Sequence, residues 1–417
     1  MTRGTVVSAH ARVVLAGALD TKSDEYAFVR DRLAASGIAS TVLDFGVLGT
    51  PGMHADIDRC AVASAGGSPL VDIASRGDRN DAMVVMASGA AAEIHRLFDA
   101  GEVAAVIVLG GSNAGYVMGR ICEALPIGIP KILVSTIVAG DTRPYVGTSD
   151  LTMMYPVVDI AGLNSISVPV LARAADACIG MVSGATTAEG VTTRSVAASM
   201  FGVTTACVTA VHDALATSSI ETHVFHANGT GGRTLEALIR SGMFSAVADL
   251  TTTELADELL GGVCSAGPGR LEAAAATGTP QVVSVGALDM VNFGARDSVP
   301  SEFDGRLLIA HNPAVTLMRT NAEECAELGA ILARKLNAAE TFTEVLVPAA
   351  GFSQISVEGA PFHDPEADRA LIEALRRDLH DHIPLRVLDT HINDPRFAAE
   401  VTRTLSRALG LTEGTAS

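Results

Sequence analysis

The stretch VAAVIVLGGSNAG, residues 103–115, is an unbroken apolar run that ends in two glycines. A run of this length, rich in β-branched residues and without polar alternation, reads as a strand buried on both faces. The Gly-rich turn directly behind it predicts a handover to a helix. Working outward, VVLAGALD (13–20) predicts a strand, followed by a helix from Ser23 to Ser36 that stops at Gly37. STVLDFGV (40–47) predicts a second strand and KILVST (131–136) a fourth, with a helix from Asp81 to Ala100 leading into the central run. Residues 49–80, rich in Gly, Ser and Asp, are either a functional loop or secondary structure without a clear signal.

A second alternation begins after GATTAEGVTT (184–193). Its expected strands are SVAASMF, THVFHA, AVADLTT, QVVSVG, RLLIAHN, TEVLVPA and LRVLDTH, with helices over 203–218, 231–241, 252–260, 269–277, 321–338, 365–380 and 395–409. Strands alternating with helices define an α/β chain. The count predicts two Rossmann-like lobes with parallel sheets, residues 1–186 and 187–417, and an interlobe cleft. No sequence repeat accompanies the shared rhythm.

Composition narrows the partners. The 417 residues carry 29 basic and 47 acidic side chains, a formal charge of −18, which argues against nucleic acid and anionic membranes as partners. With 48% hydrophobic and 18% charged residues the chain is a folding, not a disordered, sequence. So apolar a chain with so few charges is expected to form at least a homodimer. No apolar run approaches the roughly 20 residues of a membrane span, and MTRGTVVSAHARVV lacks the apolar core of a secretory signal, so a cytoplasmic location is expected. The six cysteines show no CxxC pair or metal-ligand spacing and are expected as buried thiols. Only Lys22, Lys131 and Lys335 represent lysine, so each merits attention as a charge with a task.

In open parallel sheets ligands gather outside the carboxyl ends of strands. At the first such end stand Gly17, Asp20, Thr21 and Lys22, small residues, a helix start and a cation suited to an anion. Asp and Thr there also read as ordinary helix caps. Gly110, Gly111 and Ser112 form the second turn, with Thr136 behind the fourth strand facing the same crevice. The second lobe repeats the arrangement in Gly229, Thr230, Gly231, Gly232 and Arg233. The run Thr251-Thr252-Thr253-Glu254 reads foremost as a capping box. Asp289, His311 and His391 follow later strands and are the candidates for acid/base chemistry or a metal. HNP and NDP equally describe turns in which Asn or Asp caps a helix and Pro opens it. Ligand binding in the cleft by both lobes, with His311 oriented by Asp289, is the sharpest expectation.

The segments GALDTKSDE, RPYVGTSDLTMMYPVVDIAGLN, FHANGTGGR, DLTTTELADELLGGV, SAGPGRLEAAA, GALDMVNFG, HNPAVTLMRT and THINDPRFA together resemble the Tm-one-like ATP-binding domain family, found in bacteria and in a plant antiviral resistance protein. The resemblance spans nearly the whole chain. It implies a two-lobed α/β fold, binding of ATP with Mg2+, self-association, and an unassigned reaction. The family's GxLDTK turn is met by Gly17, Leu19, Asp20, Thr21 and Lys22, with Ser23 in place of a Gly. Its GGSGGT turn is met by Gly110, Gly111 and Ser112, followed here by Asn113, Ala114 and Gly115, while the GTGGR turn is intact. The expected function is an ATP-binding or phosphorylated-ligand-binding protein, either an enzyme acting in the cleft or a non-catalytic nucleotide-responsive scaffold.

Overall fold

The computed structural model describes residues 11–184 and 194–411. The chain divides into two compact units, Arg3–Gly190 and Val191–Ser417. The expected boundary at 186/187 lies outside the described residues.

The first unit runs β1 (Arg12–Gly17), α1 (Ser23–Ala35), β2 (Ser40–Asp44), α2 (Arg59–Ala65), α3 (Leu70–Arg76), α4 (Arg79–Asp99), β3 (Val103–Gly110), α5 (Ser112–Ala124), β4 (Lys131–Ser135), α6 (Arg143–Val146), β5 (Thr152–Met154) and α7 (Ser167–Ser183). Its strands form one parallel sheet in the order β2-β1-β3-β4-β5. The central strands are apolar throughout because both faces are covered. Val14, Ala16, Val106 and Val108 pack into one core, whereas Val13, Leu15, Ala105 and Ile107 pack into the other. This is the period of two that a strand imposes on neighbouring side chains.

The stretch 49–80 is not a long loop. It holds α2, α3 and the start of α4, and the signals that bound these helices are short. Asp58 caps α2 by accepting from the N–H groups of Cys60 and Ala61, Gly77 ends α3 with φ 65°, and Asp78 caps α4. Helices of one or two turns show too few apolar positions for their period to stand out.

At the carboxyl ends of β1 and β3 a side chain enters the sheet. The buried Tyr26 donates its hydroxyl to the Ala16 carbonyl (2.5 Å) and accepts from the Leu109 N–H (2.7 Å). Burial pushes the phenol pKa up, so it stays a donor. Gly17 makes the room, since a Cβ there would lie 2.2 Å from Tyr26 Cε2. The winding of the sheet reverses between these two strands, the place where open α/β sheets bind ligands.

The second unit runs β6 (Ser195–Met200), α8 (Thr205–Ala216), β7 (Glu221–His226), α9 (Thr230–Arg240), β8 (Ala246–Thr251), α10 (Glu254–Leu260), α11 (Ala273–Thr277), β9 (Gln281–Gly286), β10 (Met290–Phe293), β11 (Leu308–Asn312), β12 (Val315–Arg319), α12 (Ala322–Leu336), β13 (Thr343–Pro348), α13 (Pro365–Asp378), β14 (Leu385–Leu388) and α14 (Pro395–Ala408). Its parallel sheet has the order β7-β6-β8-β9-β13-β14. Counted within the unit this is 2-1-3-4-5-6, the first unit's order with one strand added. Both units are Rossmann-like, as the rhythm of the sequence predicts.

One expected strand belongs elsewhere. RLLIAHN is not part of the parallel sheet: its β11 joins β10 and β12 in an antiparallel sheet ordered β10-β12-β11. The connection from β9 to β10 is only three residues, with Ala287 at φ 57°. A parallel partner needs a crossover of a dozen residues or more, so β10 has to leave the sheet. Among the described residues no helix is long and apolar enough to cross a membrane.

Candidate functional site

In the first unit a pocket of about 370 Å3 opens at the carboxyl ends of β1, β2 and β3. Ala18, Asp20 and Thr21 line it from behind β1, Phe45, Gly46, Val47 and Leu48 from behind β2, and Asn113 from the first turn of α5. Ile73, Ala82 and Met83 supply apolar wall, and Asp78 and Arg79 stand at the start of α4. No side chain caps α5, whose N-cap is Gly111, so its first N–H groups, which carry the positive end of the helix dipole, are left for an outside acceptor.

The sequence-predicted residues fall into place unevenly. Asp20 and Thr21 line the pocket. Asp20 is fixed there by accepting the Leu48 N–H at 3.0 Å. Gly110, at φ 150°, turns the chain from β3 into α5, and the Ser135 hydroxyl donates to the Gly111 carbonyl (3.1 Å), tying the end of β4 to the same turn. Thr136 Oγ1 would lie 3.9 Å from a Cβ on Gly111, and Ser112 is exposed at the start of α5. Lys22 is outside the lining: its ammonium donates to the Ile160 carbonyl. The other two lysines are also bound within their units, Lys131 to the carbonyls of Pro126 and Ile129 and to Asp150, and Lys335 to the Pro268 carbonyl and Glu272. Their scarcity therefore does not mark a ligand-binding cation.

The GTGGR turn of the second unit, which follows its second strand β7, already holds an anion. Glu254, fully buried, accepts from Gly229 N–H (2.7 Å) and Gly232 N–H (3.1 Å) through Oε1, while Oε2 takes Arg270 Nε at 2.6 Å. Asn228 takes the Gly231 N–H at 3.1 Å. Gly232 is glycine because a Cβ would lie 2.2 Å from Glu254 Oε2. Thr230 Oγ1 and the Ser265 carbonyl hold the exposed Arg233. Glu254 is thus no member of a capping box. It opens α10, and its carboxylate crosses to the N–H groups at the start of α9. Beneath it Arg270, with no exposed surface, binds both oxygens of Asp249 (2.5 and 2.7 Å) and reaches Glu236 at 3.4 Å. These buried residues escape a reading by motif because SAGPGRLEAAA and ADLTT show no pattern until folded together.

The acid/base candidates do not assemble. Asp289 is buried in the β9–β10 turn, where Oδ2 accepts from the Ser353 hydroxyl at 2.7 Å. Burial pushes its carboxyl pKa up, against the pull of Arg319. His311 is exposed on β11. The ladder pairs Met290 with Arg319 and Asn312 with Val315, which puts Asp289 and His311 roughly 15 Å apart along β12 at about 3.4 Å per residue. Asp289 therefore does not orient His311. His391 is half-buried in the turn before α14, where Asp394 caps the helix by accepting Arg396 N–H and Pro395 opens it. Arg396 holds the Asp394 carboxyl down at about 2. The turn reading accounts for this segment. Among the described residues no group of three or more His, Cys, Asp or Glu is placed to hold a metal ion.

Two doubly wound α/β units of like strand order, one with an open pocket at its switch point and the other with its glycine-rich helix start filled by its own carboxylate, define a Rossmann-like two-unit protein. The chain belongs to the uncharacterised protein family UPF0261, whose N-terminal domain matches residues 11–187 and C-terminal domain residues 193–409. It is 44% identical to a UPF0261 protein of Clostridium tetani over 395 residues, covering 94% of this chain and 98% of that one. A UPF0261 protein of Mesorhizobium japonicum is also 44% identical, over 95% of this chain and 99% of its own. The tomato ToMV resistance protein Tm-1(GCR237) is 43% identical over 307 residues, 72% of this chain and 41% of that protein. Among solved structures, the glycosyltransferase SnogD of Streptomyces nogalater aligns over 95% of this chain and 99% of its own at 10% identity and a TM-score of 0.21. So loose a superposition carries no argument about the reaction.

Proposed function

We propose that the protein binds a phosphorylated small molecule, an adenine nucleotide foremost, in the pocket of its first unit. The observation that carries this is the pocket's position: it lies at the β1/β3 switch point beside the uncapped start of α5, with an apolar wall facing a polar one. Phosphate belongs at the helix start and a base against Phe45, Val47, Ile73 and Met83. Mg2+ takes one or two carboxylates together with phosphate oxygens, and Asp20 and Asp78 are the wall's carboxylates. The self-filled turn of the second unit supports assigning the phosphate to the first unit alone. The scatter of Asp289, His311 and His391 favours a nucleotide-responsive binding protein over an enzyme using those residues. A cytoplasmic location and self-association into at least a dimer complete this reading; light scattering tests the latter.

Calorimetry with ATP, with and without Mg2+, tests the site through Asn113→Asp. An acidic residue in the first turn of α5 favours the helix yet repels a phosphate beside it. Affinity is expected to fall at least about tenfold, or about 1.4 kcal/mol. Absence of ATP binding in the parent, or equal affinity in the variant, overturns the reading.

A further inference from the structure

We propose that Arg79 is the phosphate clamp of this pocket, reaching from the start of α4 to a phosphate seated on the start of α5. The proposal rests on the pocket reading above and assigns the positive charge which that reading leaves unnamed.

The charges of the cavity pose the question. Its lining carries two carboxylates, Asp20 and Asp78, and one cation, Arg79. The lysines of this unit are held elsewhere, Lys22 by the Ile160 carbonyl and Lys131 by Asp150. A phosphate brought in without the guanidinium would meet two like charges. The start of a helix offsets only about half a charge. If the cavity takes a phosphate, Arg79 is the side chain that has to meet it.

The fold brings the two helix starts together. α4 leads into β3 and α5 leaves it, so both run against the strand and both begin at its carboxyl end. They pack side by side on one core that includes Met86 and Ala90 of α4 and Val117 and Ile121 of α5. Packed helices lie about 8–10 Å apart, so a phosphate between the two starts is within reach of both. Arg79 is exposed and lines the cavity, open to whatever enters it. It is also unoccupied. Neighbouring opposite charges elsewhere in the chain close on each other, as Arg30 does on Asp31 and Arg377 on Asp378. Asp78 turns instead to its own helix, accepting from the N–H groups of Asn80 (2.9 Å) and Asp81 (3.1 Å). The Asp81 carboxylate takes Arg76 at 2.6 Å, so among the described residues Arg79 is left without an ion pair. Asp78 thus answers the dipole of α4, whereas no side chain caps α5. An incoming anion is directed to α5 with the guanidinium beside it. Donors arriving from two helices suit the tetrahedral oxygens of a phosphate, and the planar fork of arginine supplies two of them in parallel.

The test compares ATP, AMP and adenosine by calorimetry on the full chain, in EDTA and with Mg2+, adenosine being read by competition against ATP. The variants are Arg79→Met, an exposed substitution that removes the charge and keeps a long stem, and Arg79→Lys, which keeps the charge without the fork. In EDTA, Arg79→Met should weaken ATP and AMP at least about tenfold, the scale of a hydrogen bond to a charged group, and change adenosine less than about twofold. Arg79→Lys should recover part of the loss. With Mg2+, which itself draws carboxylates and phosphate together, the loss for ATP should shrink to about threefold. An equal loss for adenosine and ATP would put Arg79 on the base, and an unchanged ATP affinity would leave it in solvent. Either result overturns the clamp and leaves the pocket reading to Asn113→Asp. Failure of all three probes to bind the parent overturns both.

Discussion

Removing the carboxylate of Glu254 should unlatch the second unit. In the fully buried position it satisfies two N–H groups at the start of α9 and one face of Arg270. Glu254→Ala leaves those donors facing a void, while Arg270 keeps Asp249 and Glu236. Breaking a buried ion pair by deleting one partner costs about 3–5 kcal/mol. At about 2–4 °C per kcal/mol for a unit of this size, its melting midpoint falls by roughly 10 °C. Glu254→Gln should lose nearly as much, because its amide N–H groups would oppose the N–H of Arg270. The void left in Glu254→Ala is lined by donors and a cation, so formate or acetate should restore part of the loss, whereas chloride at equal ionic strength should not. Denaturant unfolding followed by circular dichroism reads all three. The reasoning is refuted if Glu254→Ala lies within about 0.5 kcal/mol of the parent, the range of surface substitutions.

Tyr26→Phe leaves the Ala16 carbonyl and the Leu109 N–H without their partner, and chemical unfolding should show a loss of about 1–3 kcal/mol. Gly17→Ala drives a methyl into the same ring at 2.2 Å, and its soluble yield should fall further than that of Tyr26→Phe. Burial raises the carboxyl of Asp257 from 3.8 to about 7, so between those values the folded state holds more protons than the unfolded one and this group makes stability fall as pH rises, with the full loss reached above pH 7. Asp257→Asn should remove that slope, read as the difference between parent and variant in urea midpoints across the window. Because Lys22 donates to the Ile160 carbonyl and does not line the pocket, Lys22→Met should lower stability while changing ATP affinity less than Asn113→Asp does, a comparison that calorimetry decides.

The parallel sheets were legible because central strands such as Val103–Gly110 have no face left for polar residues. The antiparallel excursion was not. β12, VTLMR, is five residues without a distinctive period, and what starts the excursion is the brevity of the β9–β10 turn, which keeps β10 out of the parallel sheet, a three-dimensional constraint. For the site, Asp20 and Thr21 were readable from their place behind a strand. The support behind the pocket was not: the buried Arg59 ties Asp44 to the carbonyls of Leu48 and Gly49, partners that show no motif until folded together. The GTGGR turn shows the converse difficulty. Its N–H groups do receive an anion, but that anion is Glu254, a side chain of the same unit, and a glycine that admits a carboxylate looks the same as one that admits a phosphate.

The phenol of Tyr26 has a kinetic consequence. Amides at the end of a parallel strand ordinarily fray first, since nothing beyond them holds the ladder shut. Leu109 N–H is instead bonded to a hydroxyl with no exposed surface, carried on a helix packed across the sheet. Its exchange with deuterated solvent then requires α1 to lift, not merely the strand end to open, so this one amide should exchange as slowly as those at the middle of β3. The carboxyl ends of β1 and β3 should thereby be held as firmly as the middle of the sheet.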